Sequence, residues 1–104
     1  MTRPLFFVTV LCLFASSCTW VKHDPGAEDI ELVEADAVAD CETLGRTTAS
    51  VRDRVAAVQR NPGRVREELA ALARNSALEM GGDTIVAAGP VDDGQRTFRI
   101  YRCR

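Results

Sequence analysis

The chain has 104 residues, with 13 Lys and Arg against 15 Asp and Glu and a formal net charge of −2. That length holds one small domain, and the near balance of charge excludes bulk electrostatic attraction to nucleic acid. Lys22 is the one lysine among the basic residues, a skew toward Arg that reads as genome composition before function.

Met1-Thr2-Arg3 is short and positive, Leu5 to Ala15 is an apolar run, and small residues follow. That is the build of a secretory signal peptide. A spanning helix needs ~20 apolar residues, so this run is too short to stay in a bilayer. Ala15-Ser16-Ser17-Cys18 resembles a bacterial lipobox, departing from it at Ala15, where Leu is usual. The resemblance implies cleavage before Cys18 and a diacylglyceryl group on its thiol. Buried acyl chains contribute ~0.8 kcal/mol per methylene, which would hold the chain on a membrane. Thr19 rather than Asp after the cysteine favours the outer membrane in Gram-negative sorting. The expected location is therefore the cell envelope, lipid-anchored on the periplasmic side of the outer membrane; plain secretion or a retained hydrophobic N-terminus is the alternative.

The cysteines then fall into place. Cys12 leaves with the signal peptide, Cys18 carries lipid, and Cys41 and Cys103 remain as one disulfide in an oxidising compartment. A redox role for that pair finds no CxxC spacing and no helix N-terminus beside either residue.

Thr19 to Asp29 reads as a tether around Asp24-Pro25-Gly26, with Trp20 at headgroup level and His23 as a solvated linker residue. Glu28 to Asp40 is acidic and offers one short edge strand through Ile30, Leu32 and Val33. The expected division is a signal peptide over 1–17, lipidated cysteine and tether over 18–39, and a domain over 40–104.

Cys41 to Ala49 suits a strand through Thr43, Thr47 and Thr48, with Gly45 marking a bulge or close approach. Val51, Val55 and Val58 recur at i, i+4 and i+7, and with Ser50 and Asp53 as a capping box lacking its preferred Glu they predict a short helix from Val51 to Gln59. Asn61-Pro62 breaks that helix and starts a second, Asn61 as N-cap and Pro62 at the first helical position. Its apolar face is Val65, Leu69, Leu72, Ala73, Ser76 and Met80, and Gly81-Gly82 ends it.

Thr84 to Ala88 is a β-branched and apolar run closed by Gly89-Pro90. Asp92-Asp93-Gly94 is a hairpin signal, and Gln95 to Cys103 alternates, with Phe98 and Ile100 on one face and Arg99, Tyr101 and Cys103 on the other. The sum is an α+β fold, a small split β-α-β domain with a 3-4-stranded sheet and one main helix. A Cys41–Cys103 bridge demands neighbouring strands, which places the last strand between the other two.

Three blocks then look familiar: Leu72 to Ala77, Met80 to Val86 and Phe98 to Cys103, with an upstream Cys41-x-x-x-Gly45. Together they resemble a family of small bacterial lipoproteins known only as a domain of unknown function, over Asp40 to Arg104. The Arg74-Asn75 and Gly81-to-Val86 block is also similar to a helix end in the Rcs envelope-stress sensor lipoproteins, which are anchored in the outer membrane and signal through protein contacts. Neither resemblance supplies catalytic residues.

Candidate partner contacts are Asn75, Asp83, Arg96, Arg99 and Arg102, each weighed against a structural role. Asp83 follows a helix C-terminus, where the macrodipole disfavours negative charge, so Arg74 or a backbone amide of the turn should compensate. Asn75 is a poor helix former whose amide should fix the chain near Cys41 or the hairpin. The C-terminal arginines, Arg104 included, suit phosphate oxygens, or else form a solvated strand face. No catalytic set, metal cluster or cofactor motif is found, so no enzyme is expected. The function expected is that of an outer-membrane lipoprotein acting by protein contact in envelope sensing or maintenance. Its partners would be the membrane, through the lipid, and envelope proteins, with no nucleic acid and no cofactor. The alternative is a binding module for an acidic envelope ligand such as lipopolysaccharide, through the C-terminal arginines.

Overall fold

The computed structural model describes residues 25–55 and 58–104. The expected signal peptide, Cys18, Trp20 and His23 lie outside the described residues. In chain order the elements are β1 (Glu31–Val33), β2 (Glu42–Ser50), β3 (Arg54–Val55), β4 (Val58–Gln59), α1 (Pro62–Glu79), β5 (Thr84–Ala87) and β6 (Gln95–Arg102). The main sheet runs β1-β5-β6-β2. Both β5 and β2 are antiparallel to β6, while β1 is parallel to β5. The last strand is therefore an inner strand, and the fold is the expected α+β split β-α-β, with the expected short edge strand present as β1.

The helix forms because both of its ends are specified locally. Asn61 Oδ1 accepts hydrogen bonds from the amides of Gly63 at 2.8 Å and Arg64 at 3.2 Å, satisfying two donors that no intrahelical carbonyl reaches. At the far end Gly81 turns left-handed at φ 82°, and the Gly82 amide reaches back to the Ala77 carbonyl at 2.8 Å. A residue with a Cβ adopts that conformation poorly, so the glycine sets the helix end. Between the caps the buried face carries Ala70, Ala71, Ala73 and Ala77 beside Val65 and Leu69. Small side chains let the helix lie close on the sheet, where Ala49, Ile85, Phe98 and Ile100 complete the core. A smaller cluster of Val38, Val86 and Tyr101, flanked by Val33 and Cys41, occupies the opposite face of the sheet.

The first correction concerns the tether. Packed structure begins at Ala27 and not at Asp40: Ala27 and Ile30 are buried, and Arg74 Nε donates to the Ile30 carbonyl at 2.9 Å. Two apolar residues three apart fill a slot beside α1, and β1 then satisfies the free edge of β5 through Glu31–Thr84, Leu32–Ile85 and Val33–Val86.

A second correction replaces the short helix over Val51 to Gln59 with the β3–β4 hairpin, paired Arg54–Gln59 and Val55–Val58. The valine spacing has no core to face, since Val55 is 50% and Val58 67% exposed. A helix that short is marginal without a buried stripe, and β-branched residues favour strand. The backbone finds other partners: the Val51 amide donates to the Gly94 carbonyl and the Arg60 amide to the Asp53 carbonyl, both at 2.8 Å.

Met80 departs from the expected apolar face as well, at 39% exposed just past the helix. It lies across Gly45, where an added Cβ would come within 2.9 Å of its terminal methyl. Gly45 also sits at φ 150° in the bulge that shifts the β2–β6 register between Thr43 and Gly45. Bulge and close approach coincide at this one residue.

Candidate functional site

Cys41 and Cys103 are joined, with Cα atoms 4.5 Å apart and 62 residues between them in sequence. Around that bridge the start of β2 and the end of β6 form one tied corner, and Asp83 is its polar centre. Asp83 Oδ1 accepts from the Cys103 amide at 2.8 Å and from the Thr84 hydroxyl at 2.8 Å, and Oδ2 accepts from the Arg104 amide at 3.0 Å. Partial burial by itself would push the Asp83 carboxyl up. The Cys103, Thr84 and Arg104 hydrogen bonds and the Arg104 charge outweigh it and hold the group below its ordinary value. A carboxyl lowered in the folded state adds stability above the ordinary carboxylate range, and that stability is lost as pH falls through the lowered value. Neither expected partner serves Asp83: the amides come from Cys103 and Arg104 at the chain's far end and not from the turn, and Arg74 serves Ile30.

Alternation along β6 separates the arginines that sequence places together. Arg96 faces the helix side, donating from Nε to the Gly89 carbonyl at 2.7 Å, with its guanidinium 5.8 Å from the centre of the Phe98 ring. Arg102 donates from Nη1 to Glu42 at 2.8 Å and from Nε to the Gly81 carbonyl at 3.2 Å. Arg104 approaches Glu31 at 3.9 Å. Arg99 stands alone of this set on the open face, directly opposite Arg46 of β2. Asn75 is half-buried on α1, away from the open face. The five candidate contacts therefore form no single patch. Asp83 and Arg102 share the disulfide corner, Arg96 and Arg99 reach one groove from opposite faces of β6, and Asn75 lies on α1.

The hairpin is a feature the sequence reading missed. Its base is fixed to α1 by a two-pronged pair, Arg60 Nη1 to Glu68 Oε1 at 3.0 Å and Nη2 to Oε2 at 2.7 Å. Arg60 also donates to the Arg52 carbonyl at 2.8 Å. The hydrogen bond from Arg60 holds the Glu68 carboxyl below its ordinary value against the opposing effect of burial. Planar fork-to-fork pairing of this kind fixes orientation as well as distance. The available signal was Val55 and Val58 around a two-residue gap, between Arg54 and Gln59.

Among the described residues no three His, Cys, Asp or Glu side chains stand together to hold a metal ion. No described helix is long and apolar enough to cross a membrane. No curated protein and no solved structure matches the chain. One family model does, described as Domain of unknown function (DUF4156), over residues 21–103. That match takes in every strand of the sheet, the helix and both bridged cysteines, and the chain belongs to this family.

Proposed function

We propose that this is a lipid-anchored envelope protein whose disulfide-tied domain works by protein contact at the outer membrane, in sensing or maintenance. The export stretch ending at Cys18 supports the anchor, and the local likeness to the Rcs sensor lipoproteins supports a contact role. The observation that carries the contact reading is the hairpin. Val55 and Val58 are exposed large apolar side chains on a two-stranded element whose base is pinned by Arg60 and Glu68. Exposed apolar groups on a rigid support favour protein partners. The rival reading, an acidic polymer held by the C-terminal arginines as a set, loses that set, because Arg96 and Arg102 are engaged within the fold and Arg104 leans to Glu31, which leaves Arg99 alone of the four.

A photo-reactive residue replacing Val58 tests this in intact cells. A discrete adduct with another envelope protein, reduced when Val55 is changed to Ser, is the expected result. A folded chain that forms no adduct from this position, in cells where it reaches the envelope, overturns the contact reading.

A further inference from the structure

The open face of the sheet holds an arrangement that the tied corner and the hairpin do not explain. Arg46 and Arg99 are direct cross-strand partners, both exposed, and neither makes a hydrogen bond or ion pair with another described residue. Their fate differs from that of Arg60, Arg74, Arg96 and Arg102, each of which donates to a carbonyl or carboxylate of the fold. Like charges directly opposite on neighbouring strands destabilise a sheet. Edge protection by charge accounts for Arg46 on the outer strand β2, but β6 is an inner strand, so it does not account for Arg99.

The pair also stands in a concavity. A groove of about 420 Å³ is lined by Arg46, Thr48, Gly89, Asp92, Thr97 and Arg99 among others. Next to the arginines the hydroxyls of Thr48 and Thr97 share a hydrogen bond of 2.9 Å, and each retains further hydrogen-bonding capacity. Asp92 is the sole carboxylate in the lining, against Arg46, Arg96 and Arg99. Two arginines and two threonine hydroxyls lining one groove supply the donors that the oxygens of a tetrahedral dianion accept.

We propose that Arg46 and Arg99 bind a phosphate group at this groove, carried by a membrane lipid headgroup or by a free phosphate. A dianion bound there would offset the cross-strand repulsion. This inference does not rest on the anchor or on the hairpin.

The test uses the full chain in non-ionic detergent, with backbone amide shifts followed while sodium phosphate replaces sodium chloride at constant ionic strength. Shifts at residues 46–48 and 97–99 that saturate are expected, and Arg99→Gln and Arg46→Gln should each weaken binding about tenfold. Arg66→Gln, on the exposed side of α1, should leave binding unchanged. A parallel arm uses phosphatidylcholine vesicles with and without phosphatidic acid. A response to both inorganic phosphate and phosphatidic acid, or to phosphate alone, marks the free group as sufficient. A response to phosphatidic acid alone, lost in both variants, assigns the lipid headgroup as the source. No response in either arm, or one that persists in folded Arg99→Gln and Arg46→Gln chains, overturns the proposal.

Discussion

Replacing Cys103 by Ser should lower the free energy of unfolding by about 4 kcal/mol, the loop-closure value for a bridge spanning this much chain. The bridge links residues 62 apart and closes the loop that contains β2, the hairpin, α1, β5 and β6. Few domains this small exceed roughly twice that stability, so the variant should be only marginally folded at growth temperature. Urea unfolding followed by circular dichroism reads the change, and a reductant should bring the parent chain to the same midpoint. The β2–β6 ladder runs from Glu42–Arg102 to Ser50–Gln95 without the sulfurs, so the topology should survive in what remains folded. A loss under about 1 kcal/mol would mean that the unfolded chain is already constrained, or that the tied corner holds through Asp83 alone.

Phe98→Ala should cost about 3–5 kcal/mol, the usual range for removing a buried aromatic ring. Phe98 is fully buried and is the largest fully buried side chain among the described residues, ahead of Leu69, Ile85 and Ile100. Much of its surroundings is alanine from α1, and short side chains cannot move in to refill the space. The measurement is the unfolding midpoint with the disulfide intact, against Arg66→Ala, an exposed helix position where a change within about 0.5 kcal/mol is expected. A small effect at Phe98 would mean that the helix sinks onto the sheet when the ring is removed.

These two residues also show why so much of the fold is legible in the sequence. The cysteine pair restricts which strands are neighbours, and Phe98 and Ile100 fix the face of β6 that meets the helix. Asn61-Pro62 and Gly81-Gly82 bound α1 by local chemistry that no tertiary contact overrides. The short elements are harder to read. β1 has three residues, of which Glu31 is charged and Leu32 is exposed, so its strand identity comes from the free edge of β5. In Val51, Val55 and Val58 the spacing suits a helix as well as a hairpin, and the absence of a surface to bury them decides.

The site residues follow the same logic. Asp83 is legible as a residue needing compensation, but its partners Cys103 and Arg104 come from the far end of the chain, and only the fold brings them there. Arg99 stands out in sequence among four arginines, yet alternation divides them between two faces of β6. Its partner Arg46 is not predictable without the bulge. A β2 strand free of irregularity would set Gly45 opposite Arg99; the extra residue between Thr43 and Gly45 brings Arg46 there instead.

The proposed anchor hangs the domain from Cys18, and the mass of the mature chain isolated from cell membranes tests that most directly. The prediction is an N-terminus at Cys18 with the added mass of a diacylglyceryl group and an amide-linked acyl chain, both lost in Cys18→Ser. A chain that keeps residues 1–17, or one that begins at Cys18 with a free thiol, would contradict the anchor.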